Sequence, residues 1–276
     1  MEITPLYFIG TRFFIAAILI LWFVRNHLRL LTLQDVWAGT LAGLFLSAAF
    51  NLQVFGIQQT TPGKAGLFTG LTVLFVPIFY FIWSRRAIPA TAIVGALLIF
   101  SGLALFSWKQ DFNFNGLNIG DYLAIGGAVF FAAHVIVVDH FHQKKLTKLP
   151  DLVFVMLQLL VVGISTLLLA VPLEPFPRNL SAYGWYAYNF DMIIGTLLAY
   201  IVQIYAQKFT HPSNVSIILS SESLFAYLFS WLLWNELITI KILIGILLFV
   251  SGVFITEIGM FIRLPLRKKQ NLDEAS

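Results

Sequence analysis

Residues 152–171 read LVFVMLQLLVVGISTLLLAV, twenty positions without one charged side chain. A helix needs about 20 apolar residues to cross the roughly 30 Å of hydrocarbon in a bilayer. A helix at a protein–water boundary keeps one polar face, and this stretch has none. Similar runs surround it. Nine spans can be drawn: Tyr7–Val24, Val36–Gln58, Ala65–Trp83, Thr91–Trp108, Gly120–Phe141, Leu152–Val171, Ala187–Lys208, Ser213–Trp234 and Ile238–Phe261. The start of the seventh is blurred by Pro172–Asn189, a polar and aromatic-rich connector. The runs are solidly apolar instead of alternating, which points to helices and away from a membrane barrel. The fold class expected is all-α, a polytopic bundle of about nine transmembrane helices.

Composition agrees. Hydrophobic residues are 59% of the 276 positions and charged residues 11%, against about 25% charged in soluble domains, so the chain cannot clothe a water-soluble core. Without cysteine there is no disulfide and no thiol chemistry. The net charge of +4 is no sign of nucleic acid, because the basic residues lie in short clusters between apolar runs instead of forming a stripe. Met1-Glu2 is acidic and no basic region precedes the first apolar run, so no signal peptide is expected. Six of the seven tryptophans (Trp22, Trp37, Trp83, Trp108, Trp185 and Trp234) fall near span ends, where interfacial belts place them.

Lysine and arginine set the orientation. Alternate connections put Arg25, Arg29, Arg85, Arg86, Lys144, Lys145, Lys148, Lys208, Arg263, Arg267, Lys268 and Lys269 on one side. Lys64, Lys109, Arg178 and Lys241 fall on the other, and Arg12 lies within a span. The positive-inside rule then places the C-terminus in the cytoplasm and the N-terminus outside.

A shift of 150 positions aligns the chain with itself. Gln53 meets Gln203, Thr60 meets Thr210, Pro62 meets Pro212, Leu74-Phe75 meets Leu224-Phe225, Gly95 meets Gly245, and Ser101-Gly102 meets Ser251-Gly252. Leucine and phenylalanine match easily by chance in so apolar a chain; glutamine, proline and glycine at one register do not. Two homologous halves follow, the arrangement from which many secondary transporters build a site at the repeat interface. The second half carries Gly120–Phe141 ahead of Leu152–Val171, and nothing precedes Tyr7–Val24. The expected unit is therefore five helices repeated, with the first helix absent. An upstream start or a true nine-helix variant would each account for it. The division expected is a first repeat over 1–110, a second over 119–262 and a basic cytoplasmic tail over 263–276.

Several stretches carry a family resemblance: PLYFIGTRF at 5–13, Thr61-Pro62 through Gly66 and Gly70 to Val76-Pro77, and Gly95 to Gly102. In the second half they are ESLFAYLFSW at 222–231, Asn235-Glu236, and Gly245 to Gly252. Their order, spacing and duplication resemble EamA-type transporters of the drug/metabolite transporter superfamily, over essentially the whole chain. The resemblance implies a fold of two inverted five-helix repeats moving metabolites, amino acids or drugs, commonly outward. The setting expected is a bacterial inner (plasma) membrane.

Charges and amides inside the spans are the candidate site. Arg12 lies about one and a half turns into its helix. It is either a dock for a substrate carboxylate or an arginine that locks helices near the outer interface. Glu222 sits mid-span, where a carboxylate is expensive unless protonated or paired. It is the candidate for proton coupling or for holding a cationic substrate, against a structural role at a helix contact. Thr72 is its counterpart in the first repeat. Asn51, Gln53 and Gln203 need partners within lipid and serve either a cavity or interhelical bonds. His134 reads as a satisfied core or cavity histidine. Gly39-xxx-Gly43 and Gly66-xxx-Gly70 permit close helix approach, within the bundle in preference to a homodimer, which stays open. Asp139-His140-Phe141-His142 has histidines two apart, which splay on a helix, so no metal site is expected. No cofactor is expected either.

The function expected is a secondary transporter with small-molecule substrates, membrane lipid around it and protons as the candidate coupling ion. No nucleotide-binding loop is present to supply ATP drive. The alternatives are a flippase for lipid or lipid-linked substrates and, further off, a membrane enzyme. The chain holds no HExxH and no GxSxG.

Overall fold

The computed structural model describes residues 3–60, 62–85, 88–107, 117–143, 150–177, 180–234 and 239–273. Thr61, Arg86, Trp108, Lys109, Lys144, Lys145, Lys148, Arg178 and Asn235-Glu236 lie outside them, as do the side chains of Lys64, His142, Trp234, Arg263, Arg267, Lys268 and Lys269. Every regular element among the described residues is helical. In chain order these are α1 (Pro5–Val24), a 3-10 helix (Arg25–Leu30), α2 (Leu33–Ile57), α3 (Pro62–Gly70), α4 (Thr72–Ser84), α5 (Ala90–Ser107), α6 (Ile119–Gln143) and α7 (Asp151–Leu173). Then follow α8 (Ala182–Phe190), a π-helical segment (Asp191–Leu198), α9 (Ala199–Gln207), α10 (Pro212–Trp234) and α11 (Ile240–Asp273). Among the described residues six of these rods, the α3–α4 and α8–π–α9 combinations included, are long and apolar enough to cross a membrane.

Departures from the sequence reading occur in the third, seventh and last rods, the last running past the expected Phe261 to Asp273. The third is interrupted at Leu71, between Gly70 and Thr72. Pro77 lacks an N–H to give to the carbonyl of Val73, and the Thr72 hydroxyl turns back to Thr69 O at 2.7 Å. The seventh begins at Ala182, five residues before the expected Ala187, with Ser181 capping it by accepting from the Gly184 N–H at 3.0 Å.

In hydrocarbon there is no water to squeeze out between helices, so close packing of small residues carries the association. Gly39 and Gly43 of α2 lie against Leu157, Gln158 and Val161 of α7. Gly163 of α7 lies against the backbone of Phe14 on α1. The first glycine pair is thus used inside the bundle. In the second pair only Gly70 is packed, against Leu103, and nothing lies within 4 Å of where a Gly66 Cβ would stand. Gly95 and Gly102 of α5 meet Gly252 and Gly245 of α11 in reciprocal order. Each position is 150 from its counterpart, so the crossing repeats itself as a two-fold relation requires.

Three apolar cores result. Leu6, Phe13, Ala16, Leu46, Leu159 and Val162 join α1, α2 and α7. Ile99, Leu103 and Phe249 join α5 to α11, and Val76, Tyr80, Val135 and Val215 join α4, α6 and α10. Outward faces carry Phe23, Leu168 and Phe254, side chains suited to lipid.

The N-terminal end of α1 has an unusual cap. Thr4 makes no side-chain capping bond and Pro5 has no N–H. The Glu174 carboxylate, just past α7, instead accepts from the backbone N–H of Leu6 at 2.9 Å and of Tyr7 at 3.2 Å. A carboxylate there meets orphan donors and the positive end of the helix dipole. Glu174→Gln is expected to lower stability by about 1 kcal/mol and to speed amide exchange at Leu6 and Tyr7. Unchanged exchange at those two amides would mean that the cap is inert.

Candidate functional site

Arg12 is the eighth residue of α1, roughly 10 Å along the helix from Pro5. Its guanidinium is ion-paired directly to the Asp191 carboxylate, with the Arg12 side chain 12% exposed and that of Asp191 38%. Three rings surround the cation: Phe8, Phe13 and Phe50 have centroids 5.0, 5.3 and 5.9 Å from the guanidinium carbon. Arginine over aromatic faces gains cation–π attraction, which strengthens as water is removed.

Asp191 opens the π-helical segment. Such one-residue widenings recur at functional sites because they re-aim a side chain without ending the helix. Gly195 completes the device, since a Cβ there would run into Asp191 Oδ1. On one flank the Tyr188 hydroxyl donates to Thr11 Oγ1 at 2.9 Å, and Thr11 donates on to Tyr7 O at 2.6 Å. On the other, the Tyr200 ring packs against Phe13 at 5.6 Å.

Glu222 is the eleventh of the 23 residues of α10 and lies within the electrostatic reach of both Asp191 and Arg12. Tyr200 is subject to Arg12 and Glu222 alike. α1, the α8–π–α9 rod and α10 therefore bring one guanidinium, two carboxylates and two tyrosines together at membrane depth. Glu222 is exposed, and no hydrogen bond ties it to another described residue.

The remaining candidates are engaged elsewhere. Asn51 Nδ2 donates to Ser47 O at 2.8 Å and to Thr166 Oγ1 at 3.1 Å, and the Ser47 and Ser165 hydroxyls lie 2.6 Å apart. This joins α2 to α7 and leaves Asn51 Oδ1 buried without a partner. Gln53 Nε2 donates to Thr69 Oγ1 at 3.3 Å. The Thr72 hydroxyl stays on its own turn, 3.4 Å from Ala128 O of α6. His134 and Gln158 share a buried hydrogen bond of 2.7 Å between α6 and α7. Gln203 is half-buried with no side-chain hydrogen bond to a described residue. His140 Nδ1 accepts from Trp83 Nε1 at 3.1 Å, and no group of three metal-ligating side chains forms among the described residues.

Of the residues singled out in the sequence, Arg12 and Glu222 converge. Asp191, Tyr188, Tyr200 and Gly195 were overlooked. An aspartate inside the seventh apolar run was the available signal, because such a charge needs a partner.

Comparison with known proteins agrees in fold and kind. An uncharacterized transporter of Archaeoglobus fulgidus is 26% identical over 260 residues, 93% of this chain and 78% of the relative. One from Methanothermobacter thermautotrophicus is 24% identical over 246 residues, 84% of this chain and 65% of the relative, so the chain spans just under two thirds of that protein. A crystal structure at 16% identity shares the fold, with a TM-score of 0.78 over 92% of this chain and 87% of its own. The EamA-like transporter family matches at residues 1–108 and again at 118–258, and the chain belongs to that family.

Proposed function

We propose that this membrane transporter works by alternating access, moving small organic solutes outward, with Glu222 as the group that exchanges a proton for substrate. The observation that carries this reading is the placement of Glu222, mid-span beside the Arg12–Asp191 pair and without a described partner. A carboxylate at that depth is tolerable only when neutralised by a proton or a cation. A group forced to be one or the other links solute binding to proton release. The facing titratable and charged groups are Arg12 on α1 and Asp191 and Tyr200 on the seventh rod. The pair of sequence halves, 1–110 and 119–262, supports rocking of one half against the other about this centre.

Everted vesicles holding the full chain, acidified inside and reporting pH by a fluorescent weak base, test the exchange. Neutral, anionic and cationic metabolites are added in turn. At least one class is expected to release protons from wild-type vesicles, and none from Glu222→Gln vesicles with equal protein. If no class releases protons, or the variant releases them as wild type does, the coupling role of Glu222 falls.

A further inference from the structure

Two imidazoles bridge helices at the end of the bundle where α4 and α6 finish and α10 begins. The Trp83 indole N–H of α4 donates to His140 Nδ1 of α6 at 3.1 Å, and the two rings meet edge to face at 5.2 Å. One turn back on α4, the Tyr80 ring packs against that of His211 at 4.2 Å. His211 stands just ahead of α10, and its Nδ1 accepts from the Ser213 backbone N–H at 3.3 Å. That N–H is one of the donors a helix start leaves unused, so the imidazole serves as a cap. The Val76–Tyr80–Val135–Val215 core joins the same three helices. α4 belongs to the first sequence half, and α6 and α10 belong to the second. Both imidazoles therefore work across the line between the halves.

These bonds fix the charge on each ring. An indole N–H and a backbone N–H only donate, so each Nδ1 must offer a lone pair and each imidazole is neutral here. An imidazolium holds a proton on both nitrogens and could accept neither bond. On His211 it would also set a positive charge against the positive end of α10. The other titratable or charged groups at this end are Tyr80 and Arg85 on α4, Asp139 on α6, and Lys208, which is bound to Asp151 of α7 at 2.5 Å. Arg86, Lys144 and Lys145 follow in the chain. Arginine and lysine oppose an added proton and Asp139 favours one; none of them restores the lost acceptors.

We propose that His140 and His211 form an acid-released latch between the two halves. Neutral, they hold α4 against α6 and α10 and keep this end shut; protonated, they let it part. Imidazole takes up a proton at about pH 6.5, and the positive-inside rule places this end in the cytoplasm. The repeat equivalents of Tyr80, Trp83 and His211 are Ser230, Leu233 and Thr61, none of which titrates in that range. Acid thus acts on one end of the molecule alone.

The chain has no cysteine, so spin labels on introduced cysteines report chosen distances. One pair is Ile82→Cys on α4 with Phe209→Cys before α10, and the control pair is Ile57→Cys on α2 with Leu117→Cys before α6; all four side chains are exposed. Distances are measured by pulsed electron resonance on the full chain in nanodiscs, in alkaline buffer at about pH 8 and acidic buffer at about pH 5.5, on either side of the imidazole value. On acidification the first pair is expected to lengthen by more than about 2 Å, beyond a small helix shift, while the control pair stays put. His140→Asn with His211→Asn keeps an oxygen acceptor and cannot titrate, so it should hold the short distance in both buffers. Trp83→Phe keeps the ring and loses the N–H, and should lengthen the first pair already in alkaline buffer.

The latch does not depend on the exchange proposed at Glu222, so Glu222→Gln should still respond to acid. A response lost in Glu222→Gln and kept in the asparagine variant would belong to Glu222 and would overturn the latch. An unresponsive first pair, or equal lengthening of both pairs, would overturn it too. If the double variant does not fold, His211→Asn alone serves, since asparagine is a favoured helix cap. Its acid response should be smaller than that of wild type, and an equal one would count against the latch.

Discussion

Asp191→Leu is expected to cost about 3 kcal/mol of stability, the lower end of what is lost when one partner is removed from a buried ion pair. The lower end applies because the Asp191 side chain is 38% exposed. The loss arises from what remains. Arg12 would stay at membrane depth with no counter-charge, and its Nε already lacks a partner. The rings of Phe8, Phe13 and Phe50 offset only part of that charge. In detergent the apparent melting temperature should fall by roughly 6–12 °C. Adding Arg12→Leu should recover most of the loss, because an apolar pair leaves nothing uncompensated. A single variant as stable as wild type, or a double variant no better than the single, would show that the ion pair does not hold α1 to the seventh rod.

Gly252→Val acts on a different part of the molecule and is expected to separate α5 from α11. A Cβ on Gly252 would lie 2.6 Å from Gly95 O and 3.0 Å from the Ile99 backbone nitrogen. Neither is the end of a flexible side chain, so the helices themselves must move. Such overpacking costs on the order of 1–3 kcal/mol, and parting the rods further exposes the Ile99–Leu103–Phe249 core. The expected result is a sharp fall in the yield of monodisperse protein. Gly66→Ala is the control, since nothing stands within 4 Å of the new methyl and alanine favours the helix by about 1 kcal/mol over glycine. Equal yields for the two variants would remove the glycine crossing as a support of the fold.

The spans were readable because length and uniform apolarity are one-dimensional properties, and most rods begin and end within a few residues of the runs, α11 running on to Asp273. The α8 start was not. Tyr183, Trp185 and Tyr186 look like connector chemistry, yet they belong to a helix whose exposed aromatic side chains suit an interface. The break at Leu71 was not announced either, since the return of the Thr72 hydroxyl to Thr69 O is a matter of side-chain geometry and not of composition. Arg12 and Glu222 stood out as charges in apolar runs. Asp191 carried the same signal but sat in the span with the blurred start, and the π turn that aims it has no compositional mark. Glu174 was beyond reach in the sequence, since its function is to cap a helix 168 residues away.

The direct Arg12–Asp191 contact also governs how the site responds to membrane voltage. A lone guanidinium in the bilayer experiences a force, worth about 2.3 kcal/mol for each 100 mV crossed. Two opposite charges held at one depth experience almost none. With the pair intact, voltage acts on the cluster only through whatever neutralises Glu222. On the exchange proposed for Glu222, any voltage dependence of transport is then expected to report the proton and the solute exchanged there, and not the ion pair.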